Sequence, residues 1–333
     1  MLLISVILTD KAYMEEKGMY TGYAAQTKKK NGYFARLGKC FKANWQIYIM
    51  ILPALVFYTL FCYEPMYGAI IAFKDYSPRA GIWGSEWVGF KHFIDFFTGP
   101  YFSRTLINTL WISLCTLCFS FPAPIILAVM INELKSKAYS RVVQTASYLP
   151  HFISMVVICS LIKEFTSQSG VITEFLKIFG FPNISMLNEP SLFVPIYVIS
   201  DIWQCIGWDS IIYLAALTSI SPDLYEAASI DGVGRFQKII YITIPGIMPT
   251  VVTMLILRIG GLMSVGYEKI ILLQSASNYS TSDVINSFVY RRGLVDRSYS
   301  FSSAVGLFNS VINCILLFGS NWFSRKFSST SLW

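Results

Sequence analysis

The sequence predicts an all-α, polytopic integral membrane protein with about six transmembrane helices. Three observations lead there. Hydrophobic residues make up 54% of the 333 residues and charged residues only 14%, and mean hydropathy is +0.53. A soluble domain carries nearer a quarter charged residues. Six apolar stretches approach the ~20 residues a helix needs to cross a bilayer. Between the last two pairs of these stretches lies a charged segment, Tyr225 to Pro249, flanked by residues with almost no charge.

In chain order the expected spans are Trp45–Tyr63, Leu106–Ile131, Ala146–Ile162, Phe193–Leu217, Ile242–Met263 and Phe301–Phe323. Before the first lies a leader, residues 1–44. Its MLLISVIL is too short to span and poor as a signal peptide, and one reading of it is an upstream start codon, with Met14 or Met19 as the working start. Lys28, Lys29, Lys30, Arg36, Lys39 and Lys42 follow as a basic run, which the positive-inside rule assigns to the cytoplasm. An even span count then returns the tail, with Arg325 and Lys326, to the same side. The outer loops Glu64 to Arg104 and Glu268 to Ser300 carry basic residues too, but long loops count less in orientation. The first is aromatic (Trp83, Trp87, Phe90, Phe93), as an interfacial belt or a substrate contact would be. The organisation expected is a cytoplasmic leader (1–44), a first span with its aromatic loop (45–104), a membrane domain (105–323) and a cytoplasmic tail (324–333).

Several chemistries are excluded. Gly32 to Cys40 has the wrong glycine spacing for a phosphate-binding loop, and Cys40 stands where a Mg²⁺-binding hydroxyl is required. Gly232-Val233-Gly234 starts like a dinucleotide fingerprint, but Gln237 replaces the last glycine. Neither His92 nor His151 has a metal-ligand neighbour at i+4. Seven cysteines, mostly in apolar runs, make no disulfide framework, and Cys115-x-x-Cys118 reads as packing. These motifs therefore supply no nucleotide engine, no metal site and no evident catalytic site.

The polar segment has a definite shape. Ser221 is a good N-cap and Pro222 a good first helical residue. Leu224, Ala227, Ala228 and Asp231 fall on one side of the helix that follows, and Asp231-Gly232 closes it, because glycine accepts the left-handed conformation. A second helix starts near Arg235 and Phe236 and runs toward Pro245. The expectation is a helix–turn–helix at the membrane surface with a small Ala-Ala face, and Pro245 and Pro249 bending the next span.

Glu226-Ala227-Ala228, then Gly232, then Ile242-Thr243-Ile244-Pro245 resembles the EAA loop of permease subunits of type I ABC importers, with Ile244 for Leu the one departure. Further stretches, among them EPMYGAIIAFKDYSP, RVVQTASYLPHFIS and the terminal Leu332-Trp333, are similar to the branch that carries oligosaccharides and polysaccharide fragments. The resemblance runs from about Trp45 to the C-terminus. It implies a multi-pass subunit of the bacterial cytoplasmic membrane with both termini inside. It also implies a second homologous permease, two ATPase subunits that bind ATP and Mg, and an extracytoplasmic solute-binding protein as partners. Nothing points to nucleic acid. By the same resemblance Glu226, Ala227, Ala228, Asp231, Gly232, Arg235, Phe236 and Pro245 form the ATPase-coupling loop.

Polar groups inside spans mark either pathways or helix–helix bonds. Tyr197, Asp201, Gln204 and Trp208 share one face of the fourth span, with Asp209 and Trp203 beside it. Such a face suits sugars, because aromatic rings stack on C–H surfaces and carboxylates and amides bind hydroxyls. Arg258 either snorkels outward or faces the cavity and meets an acidic substrate such as a uronate. Asn309 and Asn313 on the last span are placed to bridge helices, and Asn313 is also a candidate for the pathway. Two other functions stay open from the residues alone: an ion-coupled secondary transporter, and a membrane-embedded enzyme acting on glycolipid, with Asp201 and Asp209 as its candidate pair.

Overall fold

A computed structural model describes residues 44–327 and 331–332. The expectations for residues 1–43, including the basic run and the start, and for Trp333 lie outside the described residues. The chain falls into two units, one ending at Pro65 and one beginning at Met66.

The first unit is helix α1 (Trp45–Phe57), continued by a π turn at Tyr58–Tyr63. The stretch long and apolar enough to cross a membrane is Trp45–Phe73, ten residues longer than expected. Trp45, Met50, Leu55 and Phe61 are exposed. Apolar surface of that extent suits lipid or protein contact rather than water.

In the second unit, strands β1 (Lys74–Asp75) and β2 (Glu86–Trp87) pair antiparallel, Lys74 opposite Trp87, and helix α2 (Lys91–Thr98) follows. Helix α3 (Phe102–Cys115), a π turn and α4 (Pro122–Asn132) make the second span. Helix α7 (Pro190–Leu217) is the fourth span. The fifth runs unbroken from Arg235 to Gly260, through α9 (Arg235–Lys238), a π turn and α10 (Ile244–Gly260). The last is α13 (Tyr299–Phe327).

The third span differs from the expected straight helix at Ala146–Ile162. It is a bent pair, α5 (Lys137–Tyr148), extended by a 3-10 turn to Phe152, and α6 (Met155–Phe165), meeting at 100°. The cause is local. Pro150 sits in the 3-10 turn, and Ser154 takes an extended backbone while its hydroxyl caps the new helix at Val157 N–H.

Three apolar helices share one device. The π turns at Tyr58–Tyr63, Thr116–Ser120 and Ile239–Thr243 each end two residues before a proline: Pro65, Pro122 and Pro245. The residue before each proline donates five residues back, Glu64 to Thr59, Phe121 to Thr116 and Ile244 to Ile239. Proline lacks the N–H and crowds the carbonyl four residues back. Widening the turn by one residue lets the helix continue. The disturbance expected at Pro245 thus takes the form of a π turn inside a continuous helix.

Three apolar clusters hold the second unit. One, around Ile112, Ile158, Phe193 and Tyr197, joins α3, α6 and α7 to helix α11 (Tyr267–Leu273). A second, around Phe96, Met263, Phe288 and Val305, ties α2 and helix α12 (Ile285–Tyr290) to α13. The third, Ala128, Tyr213, Leu217 and Ile247, joins α4, α7 and α10 at the end that carries the polar loop. Helix α7 also presses on α5: a Cβ on Gly207 would lie 2.1 Å from the Ser147 carbonyl oxygen, so only glycine fits.

Candidate functional site

The polar loop is built as its sequence indicates. Helix α8 (Pro222–Ile230) begins at Ser221, whose hydroxyl accepts from Asp223 N–H at 3.3 Å. It ends in a left-handed Gly232, φ 72°, with Gly232 N–H donating to Ser229 O and Val233 N–H to Ala228 O. That pairing is the Schellman arrangement, and it satisfies carbonyls the helix end leaves open. Gln237 reaches back to Gly234 N–H at 3.0 Å and starts α9. Tyr225 bonds Thr243 at 3.0 Å and Lys238 donates to Ser229 at 2.5 Å, so the two helices of the loop are clasped together.

The two alanines do not form one face. Adjacent helical residues point about 100° apart. Ala228 turns inward and is 9% exposed, whereas Ala227 lies open beside Glu226. Leu224, Ile230 and Phe236 are exposed apolar side chains on the same loop. The open surface is therefore Ala227 with its apolar neighbours, and Ala228 packs within the chain.

The polar residues of the fourth span divide between two chambers. Tyr197 and Asp201 line one of about 540 Å³ with Ser113, Arg258, Glu268 and Lys269. Trp208 and Asp209 line a second of about 430 Å³ with Ser120, Tyr213 and Arg258. Arg258 borders both, so it faces a cavity. Asp201 stands between two cations, 3.9 Å from Arg258 and 4.0 Å from Lys269. Lys269 is 2% exposed. Its ammonium donates to the Tyr197 carbonyl at 3.3 Å and lies 4.8 Å from the centre of the Tyr197 ring. Burial pushes the Lys269 ammonium below the usual lysine range, opposed by the negative charge of Asp201. In the second chamber the Trp208 ring stacks on His151 at 4.5 Å, within 3° of parallel.

Three expected pathway residues lie elsewhere. Gln204 is buried, and Trp203, 47% exposed, points away from the bundle. Neither lines a chamber. Asn313 accepts from Met263 N–H at 2.9 Å and donates to Ser264 at 2.8 Å, closing the end of the fifth span. Asn309 reaches Asn286 at 3.1 Å, so both asparagines bridge elements as expected. Sequence reasoning missed Lys269. Its only signal was a lysine inside the apolar run Tyr267–Leu273, in a segment counted as an outer loop.

Residues 120–329 match the family described as "Binding-protein-dependent transport system inner membrane component". The chain belongs to that family. Over 292 residues it is 43% identical to Protein LplB of Bacillus subtilis (strain 168), spanning 87% of this chain and 92% of that one. It is 42% identical to the polygalacturonan/rhamnogalacturonan transport system permease protein YteP of the same organism over 288 residues, 86% of this chain and 90% of that one. A chain in a crystal structure of a bacterial ABC transporter involved in the import of the acidic polysaccharide alginate superposes with a TM-score of 0.80 at 43% identity. It covers 87% of this chain and 99% of that chain. A second alginate transporter structure, in complex with alginate pentasaccharide-bound periplasmic protein, gives a TM-score of 0.82 at 42% identity over 89% of this chain and 100% of that one. This permease is thus the multi-pass membrane component of a bacterial ABC importer and not an enzyme. The secondary-transporter and glycolipid-enzyme readings fall away.

Proposed function

We propose that this permease carries oligosaccharides, fragments of polysaccharides, across the cytoplasmic membrane unmodified and by alternating access. The observation that carries the reading is likeness along nearly the whole chain, at 43% identity and a TM-score of 0.80, to a subunit of an alginate importer. The chambers support it. They join aromatic rings, hydroxyls, carboxylates and a guanidinium at membrane depth, and buried polar groups there are costly unless they serve a path.

In this reading a second, homologous permease completes the path, and an extracytoplasmic solute-binding protein delivers the sugar. Two ATPase subunits hold ATP and Mg. The loop Glu226–Pro245 docks on one of them, presenting Glu226, Ala227 and Phe236. Closure of the ATPases on ATP moves α8, and the clasped loop passes that motion into the fifth span. The leader, the loop and the tail face the cytoplasm, and the segment around Asn278 faces out. Tyr197, Asp201, Trp208, Asp209 and Arg258 line the path.

The test is uptake into vesicles by the assembled importer with its binding protein. ATP-dependent accumulation of trigalacturonate or of a neutral trisaccharide is the expected result. No uptake of either, with stimulated hydrolysis intact, would remove the oligosaccharide reading. Thiol labelling of a single cysteine at Asp231 checks the orientation, which an externally reactive Asp231→Cys would reverse.

A further inference from the structure

Arg258 is an ion-pairing group with most of its capacity unused. A guanidinium offers five N–H donors in a planar fork that matches a carboxylate. Among the described residues, the one carboxylate within 4.0 Å of it is Asp201 at 3.9 Å, which is beyond hydrogen-bond length, and Asp209 lines the second chamber with it. Asp201 stands equally far from Lys269, at 4.0 Å, and so hydrogen-bonds neither cation. The three groups are not equally free. Lys269 is fixed, buried under Tyr197 and bonded to its carbonyl. The Arg258 side chain is 48% exposed and borders both chambers. Asp201, 20% exposed, is held near both cations by charge alone.

From this we propose that Asp201 is a displaceable counter-ion, standing in for the carboxylate of an acidic sugar. When a uronate enters, its carboxylate takes the two-pronged position on the Arg258 fork and Asp201 gives way toward Lys269, so that two carboxylates face two cations. When the sugar leaves, Asp201 returns and the cations are paired again. Neither state leaves a bare charge at membrane depth, where it is costly. The exchange also keeps the hold weak, because the ligand gains only the difference between its own bond and the one Asp201 makes. A path needs that balance between entry and release. The position of Arg258 between the chambers lets a chain of uronates pass its carboxylates over the one fork in succession. This inference rests on the oligosaccharide reading above and narrows it to anionic sugars.

Opposite signs distinguish it from a structural ion pair. The complete importer is assembled with Asp201→Asn and, separately, Arg258→Met, and uptake is measured at limiting trigalacturonate. Assembly yield and binding-protein-stimulated ATP hydrolysis are recorded for each variant. Asp201→Asn removes the carboxylate nearest to both cations and raises uptake at limiting substrate. Arg258→Met lowers it roughly tenfold or more, the loss expected for one charge-assisted pair. Arg258→Lys keeps the charge, loses the fork and falls between. Equal loss in Asp201→Asn and Arg258→Met, whether of uptake or of assembly, would make the pair structural and overturn the proposal. Uptake of maltotriose but not of trigalacturonate by the unchanged importer would also overturn it while leaving the oligosaccharide reading intact. Uptake of neither would remove both.

Discussion

Arg235 donates from Nε to the Glu133 carboxylate at 2.5 Å and from Nη2 to the Glu133 backbone carbonyl at 2.8 Å. The pair links the first residue of α9 to the residue that ends α4. Helix α4 packs along α7, which carries the walls of both chambers. In the proposed coupling, this contact gives the loop a second route to the chambers besides the fifth span. The pair is exposed on the Arg235 side, so it is worth about 1 kcal/mol or less in stability. Under the proposed coupling its role is transmission. Arg235→Glu or Glu133→Arg alone should lower sugar transported per ATP hydrolysed, with little change in assembly. The double exchange should restore the ratio. A double variant no better than either single one would make the contact incidental.

Gly232 tests the turn. Its φ of 72° is strained for any L side chain, while the space a Cβ would occupy is open. Gly232→Val should cost about 1–2 kcal/mol locally. That change unwinds the Schellman turn without touching a span. Membrane insertion and pairing with the second permease should persist, and ATPase binding should weaken. Co-purification of each partner reads the two effects separately.

Asp283 is fully buried and takes Arg104 at 2.8 Å and Arg291 at 3.0 Å. Asn108 adds bonds to the carbonyls of Ser280 and Asp283. The cluster fastens the last inter-span loop to the start of α3. Asp283→Ala would leave two arginines facing each other. The expected loss is about 2–3 kcal/mol, less than for a wholly buried pair because the guanidiniums are partly exposed. Thermal unfolding of the purified complex measures it, and an unchanged midpoint would contradict it.

Gly207 tests the packing of the bent third span. Gly207→Leu should push α5 away from α7 and disturb the His151–Trp208 stack. Reduced assembly is expected, with Gly207→Ala intermediate. Full assembly of the leucine variant would mean that α5 yields readily.

Much of this architecture was legible in the sequence because its signals are local. The cap at Ser221, the left-handed Gly232 and the apolar lengths of the spans depend on neighbours in the chain. The 100° break in the third span was not legible, because its apolar run is continuous and only Pro150 hints at the turn. The site was half legible. Asp201 and Arg258 stood out as charges inside spans, but Lys269 did not, since its burial comes from α11 folding back between spans. Periodicity put Ala227 and Ala228 on one side, and the 100° step of the helix separates them.

The central claim is that the loop around Glu226–Gly232 couples this permease to an ATPase. Ala227 is the open small residue there, outside every span. Ala227→Trp should leave the chain inserted and paired with its permease partner. The decisive measurement is ATP hydrolysis by the purified complex, with and without loaded binding protein, together with the amount of ATPase retained. Loss of the ATPase, or hydrolysis no longer stimulated by loaded binding protein, is the expected result. Full retention with normal stimulation in Ala227→Trp would contradict the coupling role.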